Sequence, residues 1–184
     1  MSQPRHSCVG PYLRSVSASI ALLLLAGCAT AADPERMAVT QGVVTTTFPV
    51  SLQHTMCVRN VSGGEETNPL WFSQVGNAGF REALINTLSD TRLLSPENSC
   101  KYLVDVNLLG MSQPTAGFAM EVTAHANYKV YDSAGKPVLL ETISAAYTAE
   151  ISESIIGVIR LKRANEGAIR ASISQFLEKL RKIK

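Results

Sequence analysis

Between Phe118 and Tyr131 the chain reads FAMEVTAHANYKVY. Phe118, Met120, Val122, Ala124, Ala126, Tyr128 and Val130 alternate there with Glu121, Thr123, His125, Asn127 and Lys129. A period of two over so long a stretch is the pattern of a β-strand with one apolar and one wet face, because successive side chains point to opposite sides of the sheet. Such a strand belongs to a sheet covered on one side, which excludes a purely helical fold and a parallel sheet buried on both faces.

The flanking segments extend this pattern. KYLVDVNLL places Tyr102, Val104, Val106 and Leu108 in one phase, with Asp105 and Asn107 in the other. DSAGK is turn chemistry, and it joins the long strand to PVLLETISAAYTAEI as a hairpin. In that last strand Ile143, Ala145, Tyr147, Ala149 and Ile151 keep one phase, but Glu141 shares it, which predicts a bulge or an exposed strand end near Leu140 to Thr142. TMCVRNV around Cys57 is a shorter strand, followed by the loop SGGEETNPLW. Helical spacing appears twice. From Ser73 to Leu93 it aligns Phe80, Ala83, Leu84, Thr87, Leu88 and Thr91. After SESIIG it aligns Ile169, Ile173, Phe176, Leu177 and Leu180, with Asn165 inside the helix or near its start. The expected fold is therefore α+β, a two-layer sandwich in the order β-α-β-β-β-α. An antiparallel sheet of about four strands carries two amphipathic helices on one face.

The start of the chain carries an address. Val16 to Leu25 is an apolar run of about ten residues, well short of the roughly 20 that cross a bilayer as a helix. Arg5 and Arg14 precede it, and acidic residues are absent before Asp33. The run stops at Leu25-Ala26-Gly27-Cys28, which resembles the bacterial lipobox. The resemblance implies cleavage after residue 27, acylation of Cys28 and, with Ala29 rather than Asp behind it, delivery to the outer membrane. Three acyl chains exceed what stable anchoring needs. Residues 28–54, small, polar and β-branched with Pro34 and Pro49, are expected to form a lipidated tether, and 55–184 a single periplasmic α+β domain.

Charge and cysteines narrow the partners. The chain has 17 basic and 15 acidic residues; loss of Arg5 and Arg14 with the signal leaves 15 of each, which argues against nucleic acid. Basic charge gathers from Arg160 onward, where eight Lys or Arg face only Glu166 and Glu178. A solvated helix face accounts for this, with binding of anionic lipid or a partner as the alternative. Of four cysteines, Cys8 leaves with the signal and Cys28 takes the lipid. Cys57 and Cys100 remain as a candidate disulfide in the oxidising periplasm. Their spacing lacks the CxxC pattern of a metal site and His54 is the only nearby imidazole, so no metal and no other cofactor is expected.

No catalytic set is expected either. Glu121, Thr123 and His125 share the polar face of one strand, but residues two apart point in parallel about 7 Å from each other, which is no relay for activating a nucleophile. Ser62-Gly63-Gly64 lacks the lysine and helix of a phosphate loop. Two stretches invite a partner instead. Trp71 and Phe72 beside a polar loop are candidate contacts, although packing under the sheet or first helix also suits them. QPTAGFAM reads as a hairpin connection, with docking as the alternative.

NVSGGEETNPLW, QPTAGFAMEVTAHANYKVYDSAGKPV and RLKRANEGAIRASISQFLEKL together resemble an uncharacterised family of small proteobacterial lipoproteins, over roughly residues 56 to 181. More remotely, the element order looks like auxiliary lipoproteins of envelope transport and assembly, including the plug lipoprotein of lipopolysaccharide assembly. The resemblance carries over no catalytic residues. The expected function is a non-enzymatic outer-membrane lipoprotein, anchored at Cys28, that binds an envelope protein as a scaffold component. The alternative is a carrier of a lipid or other small amphiphile, which requires a cavity under Phe80, Tyr128 and Phe176. Oligomeric state is left open by the residues.

Overall fold

The computed structural model describes residues 29–40, 48–68, 73–97, 99–114 and 117–183. Four strands form one sheet in the order β1 (Met56–Ser62), β2 (Tyr102–Ser112), β3 (Met120–Asp132) and β4 (Pro137–Ala149). Among the described residues three α-helices accompany it: α1 (Pro34–Met37), α2 (Asn77–Asp90) and α3 (Gly157–Leu180). A 3₁₀ turn covers Val50–Leu52.

The sheet is mixed rather than antiparallel. β2, β3 and β4 pair antiparallel as a meander, but β1 runs parallel to β2. The reason lies in the connection: parallel neighbours need a crossover long enough to return the chain to the same end, and α2 supplies it. The β-α-β-β-β-α order of the long elements stands, preceded by the short α1.

Alternation sets the core. Val104, Val106, Val122, Ala124, Ala126, Tyr128 and Val130 are buried, while their odd-numbered neighbours turn to the other face. Tyr128 stands at the centre. Its ring stacks on Phe176 of α3 at 4.4 Å between centroids and meets Phe80 of α2 edge-on at 6.5 Å, so both long helices lie over the same face. Its hydroxyl shares a 2.9 Å hydrogen bond with Ser172, and burial raises its pKa above the ordinary tyrosine value.

Several boundaries differ from expectation for identifiable reasons. α2 begins at Asn77 and ends at Asp90, stopped by Arg92 in the left-handed region (φ 60°), well before Pro96. Phe118 lies outside β3 and is exposed, so its place in the alternating series was coincidental. The β3–β4 irregularity falls at Val138, not near Leu140 to Thr142. Glu141 stays in the ladder opposite Tyr128, and its long side chain reaches outward to Lys179 at 3.2 Å.

The described part of the expected tether, residues 29–40, does not hang free. Asp33 caps α1 by accepting from the Glu35 amide, with Pro34 at the first helical position, and Met37 and Val39 enter the hydrophobic core.

One close approach fixes how α3 lies on β4. A Cβ at Gly167 would clash with the Tyr147 ring. Alanine is ordinarily the better helix former by about 1 kcal/mol. Gly167→Ala is nevertheless predicted to destabilise the protein by about 1–3 kcal/mol through overpacking. Urea denaturation should show a lower midpoint for the single variant and part of the loss restored by adding Tyr147→Ala.

Candidate functional site

The N-terminal segment is fixed to α3 by a buried carboxylate. Glu166 is 1% exposed and sits between Arg163 (3.3 Å) and Lys162 (3.8 Å). It also accepts the Asp33 amide at 3.0 Å. Lys162 reaches on to the Thr30 hydroxyl at 3.0 Å, and Arg170 donates to the Arg36 carbonyl at 2.9 Å. The Val39 amide donates to the buried Thr87 hydroxyl at 2.9 Å. Cys28 lies outside the described residues; Ala29, bonded directly to it, is buried.

The uncovered sheet face is polar and groove-shaped. Asn60, Ser62, Asp105, Asn107, Asn127, Lys129 and Tyr131 line an open depression of about 260 Å³. Arg59, displaced by a bulge in β1, grips both Asp105 carboxylate oxygens and lies 4.8 Å over the Tyr131 ring. The Asp105 partnership raises the guanidinium pKa further. Asn107 accepts from the Ser62 hydroxyl (3.0 Å) and Asn127 from the Thr142 hydroxyl (2.7 Å), so both amide oxygens are engaged.

His125 lies on this face and shares a 2.8 Å hydrogen bond with Ser144 of the neighbouring strand. Glu121 accepts from Thr148 at 3.4 Å instead of orienting the imidazole. Glu121, Thr123 and His125 are therefore not gathered into a set. The serine–imidazole contact that sequence spacing missed is a cross-strand pair at exposed positions, visible only once the register is known.

The two sheet edges are unlike. On β1 the Arg81 guanidinium donates to the Val58 carbonyl (2.8 Å) and the Arg59 carbonyl (3.2 Å), and Met56 bridges to Leu94. β4 pairs on one side only, with β3, and no helix or side chain among the described residues caps the outer backbone of this 13-residue strand.

Much of the C-terminal basic charge is committed to structure. Lys162 and Arg163 hold Glu166, Lys179 holds Glu141, and Arg181 pairs with Glu178 at 2.9 Å. Gly63 ends β1 with φ 80°, where a side chain would run into the Leu108 carbonyl, so the glycine pair serves the turn. Trp71 and Phe72 lie outside the described residues. No group of three or more His, Cys, Asp or Glu that could hold a metal ion occurs among the described residues. No helix among them is long and apolar enough to cross a membrane.

No known family profile matches the chain, and no curated protein matches it in sequence. Its fold is similar to that of solved structures. A hypothetical protein from Chlamydia trachomatis aligns with TM-score 0.50 at 12% identity, over 71% of this chain and 97% of that one. A Xanthomonas campestris protein of the DUF330 family aligns at 0.47 and 12%, over 74% and 90%. A lipoprotein from Neisseria meningitidis aligns at 0.33 and 12%, over 68% and 96%. At such identity the first of these bears on the fold alone.

Cys57 on β1 and Cys100 just before β2 are joined by a disulfide with their Cα atoms 5.6 Å apart, within the ordinary range. The bond closes a 43-residue separation around α2 and ties the β1 edge to its neighbour. Replacing both cysteines by alanine is predicted to cost about 3–4 kcal/mol in the chain-entropy account. The check is a urea midpoint for the double variant against the oxidised protein, and reductant should shift the wild type alone.

Proposed function

We propose that this chain is a non-enzymatic lipoprotein of the bacterial cell envelope, acylated at Cys28 and held at the outer membrane, whose domain binds a protein partner on the periplasmic side. The free edge of β4 carries this reading. From Thr142 to Ala149 it presents eight consecutive residues without a charge or a proline. Edge strands are normally guarded by lysines, prolines, bulges or a covering element, because unpaired backbone groups recruit other strands. On β4 the guards, Pro137 and the bulge at Val138, sit at one end. The remainder suits an extended segment of a partner that adds to the sheet, with the polar face beside it supplying side-chain contacts.

The carrier reading finds less support. The space it needs is occupied by the side chains themselves: Phe80, Tyr128 and Phe176 are fully buried and pack ring against ring.

The test is intact mass on envelope-purified protein, followed by photocrosslinking from Ser144 and Ala146, both exposed on β4. The expected result is a mature chain that begins at triacylated Cys28 and crosslinks to one envelope protein. An unacylated chain overturns the anchor. Crosslinks to no specific protein, or only to a second copy of the chain, overturn the partner-binding role.

A further inference from the structure

Large apolar side chains are exposed together at one end of the domain. Phe118, just before β3, is 85% exposed, and Ile155, just before α3, is 87% exposed. Ile156 and Ile159 beside them are also exposed. A single buried guanidinium draws the two segments together. Arg160 donates to the Gly117 carbonyl (2.8 Å) on one side and to the Ser154 (2.7 Å) and Ile155 (3.3 Å) carbonyls on the other. Phe118 and Ile155 therefore flank one fixed point. Single exposed apolar residues are ordinary, but several gathered together are the pattern of an interaction site.

The place where the chain enters the domain identifies the cover. Thr30 is bonded to Lys162, one helical turn beyond Ile159 on α3, and Asp33 to Glu166 one turn further. Along the helix, Ile156 and Lys162 are about 9 Å apart, and Cys28 is one peptide, about 3.8 Å between Cα atoms, from Ala29. No free tether separates the two, because residues 29–33 are packed down. An acylated Cys28 would thus bring its chains to the bilayer beside this apolar end.

We propose that the end formed by Phe118, Ile155, Ile156 and Ile159 inserts into the interfacial region of the phospholipid leaflet that holds the Cys28 acyl chains, so that the domain is seated on the membrane in one orientation rather than suspended from it. This rests on the acylation of Cys28 proposed above. Large apolar side chains at the level of the headgroups fit an interfacial contact. Glu150 and Glu153 precede this end in the chain and are exposed, and Glu153 accepts from the Tyr147 hydroxyl and the Glu150 amide. Leu140, 61% exposed and paired with Lys129 toward the opposite end of the sheet, would remain in water.

The test is hydroxyl-radical footprinting of the full acylated protein in vesicles of phosphatidylethanolamine with a minor share of phosphatidylglycerol, beside the Cys28→Ala chain in buffer. Intact mass first establishes acylation. Expected is a five-fold or greater fall in oxidation of Phe118, Ile155 and Ile156 in vesicles, with Leu140 unchanged. A Phe118→Ser/Ile155→Ser variant, altered only at exposed positions, should stay acylated but become evenly reactive around the domain. Unacylated protein defeats the anchor reading itself. Acylated protein with Phe118 and Ile155 as reactive in vesicles as in buffer overturns the seating, as does protection that appears in native envelopes but not in pure lipid, which would assign the patch to a protein.

Discussion

The Glu166 carboxylate ties the N-terminal segment to the last helix. A buried carboxylate is tolerated only when charge and hydrogen-bond partners meet it, and this one has two cations and a backbone amide. The amide belongs to Asp33, 133 residues earlier in the chain. One desolvated group on α3 therefore determines where the N-terminal segment lies. With Asp33 fixed there, α1 is capped and Met37 and Val39 reach the core. If Cys28 is acylated as proposed, the same geometry ties the anchor closely to the folded domain.

The sheet divides the rest of the molecule into a closed side and an open one. On the closed side Tyr128 organises packing between α2 and α3, and Gly167 lets α3 settle onto Tyr147. On the open side the same strands present amides, hydroxyls and the Arg59–Asp105 pair, while among the described residues one backbone edge of β4 has no strand partner. Arg81 shields the β1 edge. A domain that guards one edge and exposes the other has directional capacity for a partner, and that asymmetry suits a scaffold better than an enclosed binding site.

Period alone made the buried faces legible. Val122 to Val130 on β3, Phe80 to Leu88 on α2 and Ile169 to Leu180 on α3 lie inward as their spacing implies, because the sheet and the helix have fixed repeat angles. Strand direction was not legible from the residues of β1. It follows from connectivity: a helix between sheet neighbours makes them parallel, and that rule would have found the mixed sheet. The docking of residues 29–40 had a local signal in Asp33-Pro34-Glu35, a helix cap with proline in the first turn, which the surrounding small and polar residues obscured. The exposed end around Phe118 had none. Its exposure depends on where β3 starts and on Arg160 reaching a carbonyl 43 residues away, and neither is written in local sequence. The His125–Ser144 contact likewise required the register.

Whether the segment after Cys28 belongs to the folded domain is read by native-state hydrogen exchange of the peptide covering residues 29–40 in the mature protein. The Asp33 and Val39 amides, bonded to Glu166 and Thr87, should exchange as slowly as amides of α2, and Glu166→Gln should accelerate Asp33 selectively. Exchange of this peptide at the rate of an unstructured chain would contradict this, and would turn the segment back into a tether that leaves the domain free to face any direction.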